Sequence, residues 1–512
     1  MYTLSYTLCH IPSRSAKGFP MQARGVWFGN QQWPSGSSPG AFARDVYRIE
    51  KCVTDRDKAL ALNTWLVRCM NRGPNLTLPS LGGYVHCADP TLLFTSWGHN
   101  ECTGWGFVAA EALQASGLKA RRTSISKSGH TIYEVWYKGL DGKESWHVFD
   151  PFLGWYLLND AGEVPSCDEL AANPDWVTNP RSGGRSRLGH HPERSTPQAY
   201  PLKTGDALDV VQPIQGYELR FDPRPGQTYS SLWRPELPHL ASRDPGKTEG
   251  IHCDISLYDE EGRPRYPEHV PYWKNYVWPT ENSNGINGTQ PVRWQGCGAM
   301  RWQPLHYGAE QTWSVANAVF ENGTVRTTGN RKHCEIWWHI KLPYLISYLS
   351  IQSDFATEGG EYIGFAVSGD AGRSLRPIYW QAAPPPKLLN IGPTDVPGVR
   401  NLQEFWLRLD MSSQHREPKL RCRALQIAVG YQVNMNVLPR LLPGDNELTL
   451  QADQSDGLTL QADWAWSQGH EEKSESLILK PGEKLTRRTI NPQASRPEEL
   501  HMRGVTLRCL SG

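Results

Sequence analysis

The chain has 512 residues, room for three domains or two large ones at about 150 residues each. Its 53 Lys and Arg against 52 Asp and Glu leave a formal charge of +1, which excludes a net electrostatic pull toward nucleic acid or anionic lipid. With 38% apolar and 21% charged residues, and no apolar run near the roughly 18 needed for a span, long disorder and membrane-spanning helices are excluded too. The 47 Gly and 39 Pro predict many turns and short strands. The 21 Trp are rings suited both to cores and to stacking on sugars.

Met1 to Lys17 holds no apolar leader segment, so a cytoplasmic location is expected, or a secreted or periplasmic one if a signal peptide has been removed. The 11 cysteines form no C-x-x-C pair and read as scattered reduced thiols. Residues 1–41 read as an extended lead-in, with Gly, Ser and Pro crowded between Asn30 and Gly40. Thr54-Asp55-Arg56-Asp57 resembles a capping box, and Ala59, Leu62, Trp65, Leu66 and Cys69 follow on one helical face. A second helix starts near Cys102, with the stripe Trp105, Val108, Ala109, Ala112 and Leu113 and a Gly117 cap. The period then changes to two, and residues 119–126, 130–137 and 145–149 read as strands, with Leu140-Asp141-Gly142-Lys143 as a hairpin turn. Residues 42–178 are therefore expected to form an α+β domain.

Residues 179–204, rich in Arg, Gly, Ser, Pro and His, read as a linker, and 205–297 as an irregular β-rich connection. Beyond them the reading is mostly β, of sandwich or jelly-roll type, with a sandwich over 298–445 and a further β unit over 446–512. His333 to Ile340 alternates cleanly between two faces, and Leu448–Asp453 recurs as Leu458–Asp463 around Ser455-Asp456-Gly457, a strand-pair signal. Ser368–Ser374 resembles the Asp/Gly turns of carbohydrate-associated β-proteins, and Trp337 and Trp380 are candidates for stacking on sugar.

Three residues in the first domain have the chemistry of a nucleophilic site. Cys102 stands at a helix start, where the dipole favours thiolate. His130 opens a strand and Asp150 closes the next, so an imidazole can pair with the thiol and a carboxylate can orient it. The bland alternatives are a buried structural thiol and, for Asp150 before Pro151, a turn starter.

Segment by segment, this region resembles the transglutaminase-like superfamily. Asn100-Glu-Cys102-Thr-Gly-Trp105 is similar to its nucleophile helix, and Gly117-Leu-Lys-Ala-Arg-Arg122 to the strand after it. Gly129-His130-Thr-Ile-Tyr-Glu134-Val135 and Trp146-His-Val-Phe-Asp150-Pro151 are similar to its His and Asp strands. The resemblance covers about residues 42–160. It implies a papain-like mechanism in which Cys102 attacks an amide carbonyl, His130 moves the proton and Asp150 orients His130. The Cys102 amide would supply half of an oxyanion hole. Trp97, His99, Asn100, Glu101, Trp105, Glu134 and Trp155 are candidates for the other half or for substrate contact. Asn100 and Thr103 depart from the family's usual Gly two before the Cys and aromatic after it.

The expectation is a cysteine-dependent amide hydrolase acting on a peptide or a glycoconjugate, with the C-terminal β region binding carbohydrate. One alternative is a non-catalytic carbohydrate-binding or scaffold protein. Another is a carbohydrate-active enzyme using Glu101, Glu134 and Asp150, since paired carboxylates can flank a glycosidic bond. No cofactor or metal is expected: His86-Cys87 and His99-x-x-Cys102 lack the arranged pairs of a closed zinc site, and no EF-hand loop is present.

Overall fold

The computed structural model describes residues 19, 21–69, 71–72, 77–80, 83–86, 89–100, 102–125, 130–151, 156–173, 175–178, 218–232, 296–328, 333–357, 361–382, 388–392, 399, 402–413, 420–434, 436–496 and 499–510. The expected linker at 179–204 lies outside them, as does most of 205–297.

The first helix departs from the expected lead-in, which spanned residues 1–41. Pro39–Ile49 is helical, with Pro39 in its first turn and the Ser38 hydroxyl accepting from the Ala41 amide at 3.1 Å. The Ser-Pro-Gly run that suggested extended chain is a helix start. A Cβ on Gly40 would stand 2.6 Å from that of Ala115, so the glycine lets this helix close on a second one. The lead-in is also tied down: Trp27–Asn30 pairs antiparallel with Asn446–Gln451, which pairs in turn with Leu485–Ile490.

The next helix, Asp55–Cys69, starts on a reciprocal cap. Thr54 Oγ1 accepts from Asp57 N at 3.1 Å, and Asp57 Oδ2 accepts from Thr54 N at 2.9 Å. Ala59, Leu62, Trp65, Leu66 and Cys69 are buried, as their spacing predicted. The helix Cys102–Ala115 buries Trp105, Val108, Ala109, Ala112 and Leu113 and ends at Gly117, whose φ of 94° lies in the left-handed region. Three strands follow as one antiparallel sheet, Lys119–Ile125, His130–Lys138 and Glu144–Phe149. The last two are joined by a tight turn with Gly142 at φ 81°.

Glu111 is the anomaly of the Cys102–Ala115 helix. It is 2% exposed, and its Oε2 has no hydrogen-bond partner among the described residues. Burial first, and then the Asp89 charge, raise its pKa above 4.5. The folded state therefore binds a proton that the unfolded chain releases, and stability falls as pH rises from about 4.5 through the folded pKa. Glu111→Gln is expected to stabilise the protein at pH 7 by about 1 kcal/mol or more. The gain should vanish near pH 4, and urea denaturation at the two pH values checks it.

The rest is mostly β. A ten-stranded sheet has Arg421–Val433 near its middle, flanked by Leu345–Ala356, Thr324–Thr327 and Gly296–Trp302. It continues through Thr228–Leu232 to Leu500–Leu510, Thr459–Gln468 and Glu471–Leu479. A five-stranded sheet runs Ser314–Ala316, Cys334–Lys341, Glu404–Ser413, Glu361–Ser368 and Arg376–Ala382. The alternation at 333–340 holds: Cys334, Ile336, Trp338 and Ile340 are buried and join the same apolar cluster as Leu349, Ile351, Ile427 and Val429 of the larger sheet.

Residues 446–512 do not form a unit of their own. Leu500–Leu510 pairs with Thr228–Leu232, which pairs with Gly296–Trp302, so one sheet crosses the expected boundaries at 297 and 445. The two Leu-Thr-Leu-Gln-Ala-Asp copies do not pair with each other. Asp456 and Gly457 make the turn, at φ 44° and 79°, but the first copy joins Trp27–Asn30 and the second joins the ten-stranded sheet. The N-terminal strand takes the edge that a hairpin partner would have used.

Candidate active site

The side chain of Cys102 is half-buried at the start of a fourteen-residue helix, the end at which a helix dipole favours negative charge. The backbone brings the other two predicted residues to the same place. His130 opens its strand opposite Ile125. Tyr133 pairs with Phe149, so His130 and Asp150 sit at the same end of adjacent strands. The helix start meets that end directly: Thr103 Oγ1 lies 3.4 Å from Thr131 Oγ1, joining the residue after Cys102 to the residue after His130. Asp150 is 1% exposed. His99 and His130 are described in their backbone alone, and Glu101 and Trp155 lie outside the described residues.

Two glycines make this approach close. A Cβ on Gly104 would stand 2.4 Å from Asn100 Cγ, and one on Gly106 would stand 3.0 Å from Thr131 Cγ2 and 3.1 Å from Arg122. Glycine inside a helix costs about 1 kcal/mol relative to alanine, so two in the first turns mark tight packing. That Gly-x-Gly spacing after the Cys was the sequence signal for the contact, and the reading passed over it.

The segment before Cys102 is fastened to the ten-stranded sheet, which sequence reasoning missed. Leu93–Trp97 is a π-helical turn closed by Gly98 at φ 73°. Asn434 Nδ2 donates to the carbonyls of Cys69 and Phe94, each at 2.8 Å, and Asn434 N donates to that of Thr95 at 2.9 Å. The Ser96 hydroxyl donates to Gln432 O at 2.6 Å and accepts from Leu345 N at 2.9 Å. Gln432 Nε2 reaches Trp97 O at 3.2 Å.

Several candidates are placed in the scaffold. Trp97 and Trp105 are each 2% exposed and belong to the apolar cluster. Glu134, 1% exposed, accepts from Arg121 Nε at 2.8 Å and from Cys167 N at 3.0 Å. All three, candidates for the oxyanion hole or for substrate contact, are buried. Asn100 is 1% exposed, and its Nδ2 has no hydrogen-bond partner among the described residues.

Burial pushes Cys334 and Cys509 up to about 12 and raises Cys167 and Cys422 as well. Cys52 is raised by burial and then by the charges of Asp57 and Glu50.

The sugar-stacking candidates divide. Trp337 is 1% exposed and donates to Glu335, so it presents no open face. Trp380 is 42% exposed, lies over Gly364 and meets Tyr362 edge-on at 4.2 Å. In the turn between those strands Asp370 accepts from Ser374 N and Oγ, at 2.8 and 2.7 Å, so its carboxylate serves its own loop. His333, Glu335 and Asp410 bring potential metal-ligand atoms within 4.8 Å of one another. Asp410 is already paired with His333 Nε2 and with Arg408 Nε, each at 2.8 Å, so the cluster satisfies its own charges.

No family model matches the chain, and no curated protein does. Among solved structures, a β-D-mannosidase from Dictyoglomus thermophilum aligns at 9% identity and a TM-score of 0.12, over 35% of this chain and 24% of that one. The glycoside hydrolase domain of Endo-D from Streptococcus pneumoniae R6 aligns at 6% identity and a TM-score of 0.15, over 42% and 33%. Overlaps this slight set neither fold nor chemistry. No helix among the described residues is long and apolar enough to cross a membrane.

Proposed function

We propose that the chain is a thiol-dependent amide hydrolase, with a transglutaminase-like α+β unit held against a β-sandwich. The observation that carries this reading is the Thr103–Thr131 contact, which brings the start of the Cys102 helix to the start of the His130 strand beside Asp150. In the proposed reaction His130 takes the Cys102 proton and the sulfur adds to the amide carbonyl. The imidazolium then protonates the departing amine, leaving a thioester. Water deprotonated by His130 adds to that thioester, releasing a carboxylic acid and restoring the thiol. Asp150 orients the imidazole. The Cys102 amide and Asn100 Nδ2 are the proposed donors to the oxyanion, each such donor typically contributing about 2.7–4 kcal/mol. The substrate class is a peptide or glycosyl-asparagine-type amide.

The engagement of Glu134 by Arg121 and the Cys167 amide favours this reading over a glycosidase with paired carboxylates, because it removes one of the candidate acids. Iodoacetamide at pH 7 is expected to label Cys102 well ahead of Cys52, and His130→Ala should abolish that advantage. Hydrolysis of a peptide and glycopeptide panel should fall about 10³-fold or more in Cys102→Ala. Equal labelling of Cys52 and Cys102, or turnover that survives Cys102→Ala, would refute the proposal.

A further inference from the structure

A cavity of about 240 Å³ opens on the ten-stranded sheet, lined by Gln303, His306, Gln352, Asp354, Asn390 and Gln426 among others. Its floor is a row of amides. Gln352 on Leu345–Ala356 pairs with Asn390 on one side and Gln426 on the other. Trp302 pairs with Ile427, so Gln303, the next residue, falls beside Gln426 and extends the row. At about 4.8 Å between strands the four amides span about 14 Å.

A run of side-chain amides across neighbouring strands has an ordinary explanation, a hydrogen-bonded ladder that stiffens the sheet. Here that explanation fails. The side chains of Gln303, His306, Gln352 and Asn390 are exposed, and neither they nor that of Gln426 hydrogen-bond to another described residue. Each amide keeps a carbonyl acceptor and an NH2 donor side by side, the pairing that adjacent hydroxyls match.

The surroundings narrow the occupant. Among the described lining residues the one carboxylate, Asp354, is paired with Arg423 at 2.9 Å, and those residues gather no concentrated charge for a phosphate or an acidic polymer. In the neighbouring row Asp354 is flanked by Leu388, which is 71% exposed, and by Ala424, whose small side chain leaves the depression open. The amide side chains stand on the face of the sheet rather than along its edge, across Leu388–Ile391, Leu345–Ala356 and Arg421–Val433. We infer that this cavity binds a neutral saccharide chain of a few hexose or N-acetylhexosamine units, with the amides holding hydroxyls and Leu388 meeting a ring face.

The inference stands apart from the thiol chemistry, and the test keeps them separate. The full chain carrying Cys102→Ser is titrated calorimetrically with cellohexaose, mannohexaose, maltohexaose and chitohexaose. Saturable binding of at least one is expected. Gln352→Ala and Gln426→Ala should each weaken it about tenfold, and the double variant should lose it. Melting temperatures should not move, because these amides contact no partner in the fold. Failure of all four sugars to bind, or undiminished binding in the double variant, overturns the inference and leaves the amide hydrolase proposal where it was.

Discussion

Arg408→Met is expected to destabilise the protein by about 3–5 kcal/mol, measured as a fall in the urea midpoint. Arg408 is 9% exposed and Asp410 is fully buried, paired across the five-stranded sheet with Trp337 and Glu335. Arg408 Nε meets one oxygen of Asp410 and His333 Nε2 meets the other, each at 2.8 Å, while Glu335 lies 3.8 Å from the guanidinium. Removing the guanidinium leaves two carboxylates with one imidazole between them. The hydrogen bond to Asp410 already raises the His333 pKa against the opposing effect of burial, so that imidazole has little further compensation to give. The companion variant is Arg408→Met with Asp410→Leu, which removes both charges and should recover most of the loss. If the single variant unfolds at the wild-type midpoint, the network contributes nothing to stability.

Asn434→Ala is expected to cost about 2–4 kcal/mol and to lower any activity of the Cys102 site beyond the loss of folded protein. The substitution removes the donor to the Cys69 and Phe94 carbonyls and the acceptor of the Asn436 amide at 3.1 Å, all in buried surroundings. It also opens the space where a Cβ on Gly98 would stand 2.9 Å from the Asn434 side chain, just ahead of the short strand His99–Asn100. The check is kcat per folded molecule beside thermal unfolding. A variant that melts earlier but turns over normally would assign Asn434 to stability alone.

What could be read from the sequence is what repeats locally. The helices Asp55–Cys69 and Cys102–Ala115 bury one stripe each, and the strands after them alternate, so periodicity located them to within a residue or two. The positions of Cys102, His130 and Asp150 at or next to element ends were legible for the same reason. The helix Pro39–Ile49 was not legible, because Pro39 and Gly40 are breakers by composition and become helical only through the Ser38 cap and the closeness of Ala115. Pairing between Trp27–Asn30 and Asn446–Gln451 leaves no local trace, because its partners are distant in the chain. The fastening of Leu93–Trp97 rests on single polar residues, Ser96, Gln432 and Asn434, which have no period at all.

The strand Arg421–Val433 carries Gln426 of the amide row and ends beside Asn434, which grips the turn ahead of Cys102. Eight residues of extended chain make a ruler about 27 Å long between groove and grip. On the two readings proposed above, a ligand on the amides and a substrate at the sulfur would meet the protein toward opposite ends of this strand. Substrate libraries graded by length, rather than by sequence, are the ones in which the two ends would register together.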